Sequence, residues 1–345
     1  MNPTATSIFI SSLAVGTTIT LMSHHLFLAW VGLEINTLAI IPLMTLNPHP
    51  RAIEAATKYF LTQAAASALL LFSALINAGK TGEWDITSLD NLSSLILSTA
   101  LLMKLGLAPL HFWMPDVLQG IPLSTGLILS TWQKIAPMAL LLQLSQSLNP
   151  MTMSIIGLSS ILIGGWGGIN QTQLRKIMAF SSIGHFGWMV IILKFNPQLT
   201  IYNFIFYLVM TAAMFFIMIS LSTTKVSDIS TSWPKTPVLA ASAMLILLSL
   251  AGLPPLSGFS PKLLIILELI KQDTITLVAL IMLASLLALF FYLRLTYILS
   301  LTMSPNSPNS LTSWRTKTAT PQISSLLNTA ALWTFPLTPT LLLML

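Results

Sequence analysis

Four ionisable residues lie within stretches that are otherwise apolar enough to cross a bilayer: Glu34, Lys104, Lys134 and Lys262. A charged side chain at the centre of a membrane helix costs about 3 kcal/mol on insertion scales. The default interpretation of four such residues is therefore a path for protons or ions. Each keeps a structural alternative: a protonated helix contact for Glu34, snorkelling for Lys104 and Lys262, and an interhelical hydrogen bond for Lys134.

Lysine and glutamate in one region of low dielectric constant can act together as a switchable proton relay. Lysine in water has a pKa of about 10.4, which desolvation or a second cation lowers and a carboxylate raises. The sequence supplies all three influences, because Lys104 and Lys134 lie on successive predicted helices and Glu34 belongs to the same predicted unit. Lys104 also lies two residues before a predicted helix break, where we expect freed backbone carbonyls to receive its ammonium.

Two histidines are weaker candidates for the same relay. His185 lies in the middle of a predicted span, and imidazole titrates near neutral pH, but a hydrogen-bonded core histidine is an equally good interpretation. His111 directly follows the first predicted break and has the same two interpretations. Arg294 indicates snorkelling or a subunit contact. The run Gly164–Gly168 has no preceding strand, so it predicts close helix packing and not a dinucleotide-binding loop.

The composition is that of a polytopic membrane protein. The chain has 345 residues, of which 54% are hydrophobic and 7% charged, whereas a soluble domain has about 25% charged residues. This length holds roughly ten to twelve spanning helices. The absence of cysteine excludes thiolate-bound iron–sulfur or zinc centres. The net charge of +6 is spread along the chain, which gives no support for nucleic-acid binding.

The hydrophobic pattern predicts an all-α protein with eleven apolar segments. The fourth and ninth are too long for one plain helix, and each contains the pattern Gly-Leu-x-Pro-Leu, beginning at Gly106 and at Gly252. Proline removes a helix hydrogen bond, so we expect a break at each pattern. The segments are 3–23, 25–46, 55–78, 91–119, 122–147, 151–169, 174–194, 198–222, 237–271, 274–302 and 324–345.

The spacing of the two breaks predicts an internal repeat. They lie five segments apart, and this odd offset puts the second break in a helix that crosses the membrane in the opposite direction. We therefore predict two inverted five-helix units, each with a broken fourth helix, an arrangement typical of transporters. Within a single membrane domain, 1–345, the first unit is 1–148 and the second 149–303. A polar linker and a last helix follow at 304–345.

Basic residues in the predicted loops indicate the orientation. Even-numbered loops carry eight lysines and arginines, and odd-numbered loops carry three. By the positive-inside rule the N-terminus and the even loops face the positive-inside compartment, and the C-terminus faces the opposite one. The even-loop residues are Arg51, Lys58, Arg175, Lys176, Lys225, Lys235, Arg315 and Lys317, and the odd-loop residues are Lys80, Lys194 and Lys271.

Four strings of residues resemble a known family along the whole chain. They are Trp30–Glu34, Met103–Trp113, Gln173–His185 and Gly252–Phe259. On these strings the chain resembles the antiporter-like membrane subunits of respiratory complex I, the proton-pumping NADH:ubiquinone oxidoreductase, in its vertebrate mitochondrial form. The second and fourth strings are highly specific to that family.

The resemblance implies a proton path through buried side chains and water, driven by distant quinone reduction. The family's relay positions fall on Glu34, Lys104, Lys134 and Lys262, and His185 falls in the polar axis that links two half-channels. It also implies the mitochondrial inner membrane, with the N-terminus on the matrix side and the C-terminus on the intermembrane-space side.

The resemblance assigns the redox chemistry to other chains. It implies no cofactor here, with NADH, FMN, iron–sulfur clusters and ubiquinone in other subunits. The implied partners are other membrane-arm subunits, including neighbouring antiporter-like subunits, and lipids such as cardiolipin are further candidates. Ser260 stands where the family commonly has methionine, which puts a hydroxyl near Lys262.

Two other functions stay open. One is a subunit of a multi-subunit cation/proton antiporter, which needs convergent oxygen ligands for a hard cation. Only Glu34 is a convincingly buried carboxylate, so the lysine-rich set favours protons. The other is an inert scaffold needed only for assembly, which would tolerate loss of Lys104 with pumping intact.

Overall fold

The computed structural model describes residues 3–46, 48–233, 236–301 and 322–340. These residues form helices and no strand, which confirms the predicted all-α class. The chain divides into two compact units, Met1–Ser160 and Ile161–Leu345. The predicted linker over 304–321 and the basic residues Lys235, Arg315 and Lys317 lie outside the described residues.

Eight described helices begin in the first unit, and the last of them continues into the second. They are α1 (Pro3–Met22), α2 (Leu26–Met44), α3 (Pro50–Thr81), α4 (Asn91–Leu105), α5 (Trp113–Gly120), α6 (Leu123–Ser130), α7 (Trp132–Gln143) and α8 (Pro150–Gly168).

Seven further helices are described in the second unit, followed by a 3-10 turn over Phe335–Leu337. They are α9 (Leu174–Ile192), α10 (Pro197–Leu221), α11 (Val226–Ser230), α12 (Pro237–Ala251), α13 (Phe259–Lys271), α14 (Ile275–Leu301) and α15 (Gln322–Trp333).

Six helices of the described ranges are long and apolar enough to cross a membrane, as expected of a multi-pass membrane protein. They are α1, α2, α3, α8, α10 and α14. Helices α4 and α12 are equally apolar but shorter, because each is the first half of a helix that the sequence predicts to be broken.

Both predicted breaks are present and share one backbone design. Helix α4 ends before Gly106 and α12 ends before Gly252, with φ angles of 78° and 85°. Each glycine donates its N–H to carbonyls of the preceding turn. Glycine adopts this left-handed conformation without the steric cost that a Cβ brings. The helix therefore stops at these two positions and starts again several residues later.

Two further predicted segments are not continuous helices. Segment 122–147 is interrupted at Thr131, which separates α6 from α7. The hydroxyls of Ser130 and Thr131 both donate to the carbonyl of Leu127, a competition with the backbone that bends helices. In segment 324–345 the helix ends at Trp333, since Pro336 offers no N–H and disfavours helix at the residue before it.

Backbone pairing between loops shows which loops share a face within each unit. In the first unit the N–H of Ile86 donates to His24 O at 3.1 Å, which joins the predicted odd loops 3 and 1. In the second, the N–H of Val226 donates to Thr172 O at 3.1 Å, which joins the predicted even loops 8 and 6. These two pairings agree with helices that alternate in direction. Four of the residues counted in even loops lie within helices, because α3 begins at Pro50 and α9 begins at Leu174. They are Arg51, Lys58, Arg175 and Lys176.

The glycine run at the end of α8 packs against neighbouring helices, as predicted. A Cβ on Gly164 would lie 2.8 Å from Gly184 N in α9. A Cβ on Gly168 would lie 2.8 Å from the ring of Phe291 in α14. These contacts require glycine, so the run is a packing surface.

Candidate functional site

The first unit places two of the predicted lysines on one small cavity. Lys104 from α4 and Lys134 from α7 line it, together with Thr37, Asn36 and Gln133. The centre of a water molecule can move through about 20 Å³ of this cavity. By the same measure, a cavity of about 10–15 Å³ is large enough to hold one water molecule. The lining combines cationic, amide and hydroxyl groups, so this space suits a polar occupant.

Lys134 holds the carbonyl that the first break sets free. Its side chain is 1% exposed, and its Nζ donates to the oxygen of Leu105, the last residue of α4. The same Nζ lies 5.4 Å from the centroid of the Trp113 ring. A helix C-terminus carries partial negative charge, and an aromatic face attracts a cation. Both the helix end and the Trp113 ring therefore stabilise the charged ammonium of Lys134.

Lys104 does not make the contact that we expected for it. Its Nζ is buried and has no hydrogen-bond partner among the described residues. Side chains on a helix lean toward its N-terminus, so Lys104 points away from the carbonyls freed after Leu105. The carbonyl instead receives Lys134, which approaches from another helix.

Glu34 is held by two hydroxyls and not by a lysine. Ser67 Oγ donates to Glu34 Oε1 at 2.8 Å, and Thr37 Oγ1 donates to Oε2 at 2.7 Å. No ion pair between Glu34 and Lys104 occurs in the part of the chain that the structure describes. Thr37 also lines the lysine cavity, so its hydroxyl connects the Glu34 carboxylate to that cavity.

The second unit repeats the lysine–carbonyl contact at its own break. Lys262 from α13 donates from Nζ to Ala251 O at 2.7 Å, and Leu250 O lies 3.5 Å away. Ala251 is the last residue of α12 and precedes Gly252, as Leu105 precedes Gly106 in the first unit.

Lys262 and His185 stand together between two cavities of the second unit. One cavity has about 20 Å³ open to the centre of a water molecule and includes Gly184 and Tyr292 in its lining. The other has about 10 Å³ and includes Asn203. A Cβ on Gly184 would meet no atom within 4 Å, so glycine leaves this space open beside His185. An imidazole in contact with both cavities can accept or donate a proton on either side.

Three other residues singled out in the sequence have structural contacts. His111 Nδ1 lies 3.3 Å from Pro109 O, and His111 does not line the Lys104 cavity. Arg294 donates to Ile169 O, directly after the end of α8, a contact that the sequence did not predict. Ser260 Oγ donates to Ser257 O at 2.8 Å and lies 3.0 Å from the Tyr202 hydroxyl.

Several polar residues of these cavities were missed in the sequence. Asn36 lies two residues after Glu34 and is buried at 1% exposure, with both side-chain polar atoms unpaired within the described residues. Its position next to a buried carboxylate was an available signal. Ser67 and Asn203 gave none, because isolated serines and asparagines are common in membrane helices. Among the described residues, no group of three or more His, Cys, Asp or Glu side chains is arranged to hold a metal ion.

Comparison with known families and proteins places this architecture. Residues 23–288 match the family model described as NADH:quinone oxidoreductase/Mrp antiporter, TM, and residues 289–342 match NADH dehydrogenase subunit 2 C-terminus. The NADH-ubiquinone oxidoreductase chain 2 of Aquarana catesbeiana is 67% identical over 344 residues, covering 100% of each chain. The protein of the same name from Carassius auratus is 54% identical and covers 99% of each.

Two solved structures have a similar fold. A chain of respiratory complex I from Thermus thermophilus with bound aureothin aligns with a TM-score of 0.83 and 27% identity, covering 96% of this chain and 79% of that chain. A chain of the Mrp complex from Dietzia sp. DQ12-45-1b aligns with a TM-score of 0.78 and 20% identity, covering 84% and 59%. At this identity the second likeness concerns the fold alone.

Proposed function

Since this chain belongs to the NADH:quinone oxidoreductase/Mrp antiporter family, with NADH-ubiquinone oxidoreductase chain 2 proteins as full-length relatives, we propose that its buried lysines transfer protons across the membrane. The chain is a membrane-arm subunit of the proton-pumping NADH:ubiquinone oxidoreductase. Its enzymatic role is that of a translocase subunit. We assign NADH, FMN, iron–sulfur clusters and ubiquinone to other subunits of the assembly.

One observation carries the proposal: the same lysine–carbonyl contact occurs at both helix breaks. Lys134 contacts Leu105 O and Lys262 contacts Ala251 O, each beside a cavity large enough for a water molecule. The carbonyl at a helix C-terminus stabilises the charged ammonium. A shift of the half-helix that withdraws this carbonyl would favour release of the proton to the cavity. The break supplies the point at which such a shift can occur.

Each relay residue then has a defined part. In the first unit Glu34 and Lys104 exchange a proton with Lys134, whose ammonium is held at the break. In the second unit Lys262 exchanges a proton with His185, which touches the same two cavities. His111 is a weaker member, because its ring faces Pro109 O. The division into units 1–148 and 149–303 with an inverted arrangement, and the eleven-helix count, belong to this proposal.

The names of the relatives support a cellular setting for this chain. Other membrane subunits of complex I are partners of this chain, since its relatives are named as chains of that enzyme. We propose that the membrane is the mitochondrial inner membrane, with the N-terminus on the matrix side and the C-terminus on the intermembrane-space side. Neighbouring antiporter-like subunits and lipids such as cardiolipin are further proposed partners.

The rival functions make different demands. A cation/proton antiporter would need carboxylate and carbonyl oxygens converging on a hard cation, and the ligand at each described break is an ammonium. An inert scaffold would need these lysines only for folding. Removing the charge while keeping the length of the side chain separates the scaffold from the relay.

Replacement of Lys262 by methionine tests the proposal in the second unit. We expect the assembled complex to form and the rate of proton pumping to fall at least about tenfold, because a positioned proton donor is lost. The measurement is proton uptake against NADH oxidation in vesicles that contain the complex.

The matched control is Lys271→Met on the same helix. The Lys271 side chain is 72% exposed and its Nζ lies 3.4 Å from Glu268, so its loss should leave pumping unchanged. Wild-type pumping in Lys262→Met would show that Lys262 is structural.

A further inference from the structure

The two hydroxyls that hold Glu34 each have a second acceptor within reach. Ser67 Oγ lies 2.8 Å from Glu34 Oε1 and 2.9 Å from Ala64 O. Thr37 Oγ1 lies 2.7 Å from Glu34 Oε2 and 2.9 Å from the backbone oxygen of Glu34 itself. A hydroxyl carries one proton, so each can give a full hydrogen bond to only one of its two acceptors at a time.

A fully buried hydroxyl on the same helix as Ser67 has a single described acceptor. Ser73, also on α3, donates to Leu70 O at 2.6 Å as its described hydrogen bond. The backbone next to the hydroxyl of Ser67 is also fixed, because Trp30 Nε1 donates to Ser67 O at 3.2 Å. This contact ties α2 to α3 at the level of Glu34. Thr37 and Ser67 differ from Ser73 in that one of their two acceptors is a carboxylate oxygen.

Charged and titratable groups surround this arrangement on the neighbouring helices. Lys104 on α4 has a buried ammonium without a hydrogen bond among the described residues. Lys134 on α7 is engaged at Leu105 O, and Tyr59 on α3 lines the same cavity as both lysines. Both oxygens of the Glu34 carboxylate accept hydrogen bonds from hydroxyls. Lys104 makes no ion pair with Glu34 in the described part of the chain.

We propose that Thr37 and Ser67 are positioning residues for Glu34: their hydroxyls hold its carboxylate apart from Lys104, and the hydroxyl of Thr37 turns toward a backbone carbonyl when Glu34 takes a proton. This inference rests on the proposed function and adds two residues to the relay. In this view the structure shows a state of the relay in which the two hydroxyls, and not Lys104, donate hydrogen bonds to the Glu34 carboxylate.

The protons balance in both states. When Glu34 is ionised, both hydroxyls donate to the carboxylate. When an N–H bond of Lys104 breaks and an O–H bond on Glu34 forms, the new O–H donates to Thr37 Oγ1, and Thr37 donates to the backbone oxygen of Glu34. Ser67 still donates to the remaining carboxyl oxygen. The carboxyl group of Glu34 and both hydroxyls keep a hydrogen-bond partner in either state, so this part of the site avoids the desolvation penalty of an unpaired polar group.

Infrared difference spectroscopy of the assembled complex tests this inference. The band to follow is the C=O stretch of protonated Glu34, assigned by its disappearance in Glu34→Gln. We expect the band to move to higher wavenumber in Thr37→Val and in Ser67→Ala, because a hydrogen bond to the carboxyl group is lost. Pumping should fall roughly tenfold in both variants, by the strength of one hydrogen bond to a charged group.

The conservative variants and the helix control separate positioning from packing. Thr37→Ser and Ser67→Thr keep the hydroxyls, so the band and the pumping rate should return toward wild type. Ser73→Ala removes a buried hydroxyl from the same helix and should leave the band unmoved. An unmoved Glu34 band in both Thr37→Val and Ser67→Ala overturns the inference, and either variant alone suffices if the other fails to assemble.

The outcomes also separate this inference from the proposed function. If Glu34→Gln pumps normally while Thr37→Val and Ser67→Ala shift the band, the hydroxyls position the carboxyl group and the relay does not run through it. If Glu34→Gln stops pumping and the band stays unmoved in both hydroxyl variants, the relay stands and the positioning role is wrong.

Discussion

Replacing Lys134 with methionine stops proton pumping in the assembled complex. Lys134 is the described donor to the carbonyl at the end of α4, and its side chain is 1% exposed. Methionine fills similar space without a proton to give, so we expect proton transfer to slow about a hundredfold or more. NADH oxidation coupled to pumping falls with it. The measurement is dye-reported acidification of vesicles alongside NADH consumption.

Folding survives this change because two effects oppose each other. Leu105 O loses its donor, which costs about 1–3 kcal/mol when the group is buried. Removal of a desolvated ammonium offsets that cost. The control is Lys80→Met, since Lys80 is exposed at an ion pair with Asp90. Normal pumping in Lys134→Met would contradict the proposal that the Lys134 ammonium at the helix break carries a transferred proton.

The alanine variant of Gly258 loses the assembled complex altogether. A Cβ at this position would lie 1.8 Å from Ser249 O and 2.7 Å from Ser249 C. Both atoms belong to the backbone of α12, so no side-chain rotation can relieve the overlap. Overpacking in a close-packed interior costs about 1–3 kcal/mol and sometimes more, and this contact with rigid backbone belongs at the upper end. The yield of complex on a native gel measures the loss.

Gly79 is the matched control for that substitution. It lies within α3, and a Cβ there would meet no atom within 4 Å. Alanine favours helix over glycine by about 0.5–1 kcal/mol, so Gly79→Ala should assemble as well as wild type. Equal yields from Gly258→Ala and Gly79→Ala would contradict this account. They would show that the backbone of α12 can move away from an added Cβ at position 258.

The helix breaks could be predicted from the sequence because their cause is local. A glycine in the left-handed conformation ends a helix, and a proline soon after it cannot continue the helix; α4 and α12 end where the pattern predicts. The interruption at Thr131 has a different cause. It depends on two hydroxyls that share the carbonyl of Leu127, and serine and threonine pairs occur in many membrane helices without such a bend.

The candidate site also has a part that the sequence predicts and a part that depends on packing. Buried charges stand out in an apolar chain, so Lys104, Lys134 and Lys262 were visible as candidates. Which lysine meets which carbonyl depends on how α7 packs against α4, and no local pattern encodes that contact. His111 and His185 look alike in the sequence. Only the packing puts His185 against the cavities of Lys262 and His111 against a backbone carbonyl.

The most direct test of the central claim is proton pumping per NADH oxidised in vesicles of the assembled complex carrying Lys104→Ala. The Lys104 ammonium makes no hydrogen bond within the described chain, so a structural role has no polar contact to lose, and removal of a buried charge favours folding. The relay account predicts normal assembly with pumping, and the turnover coupled to it, sharply reduced. Wild-type pumping with wild-type NADH oxidation would contradict it and make Lys104 a structural residue.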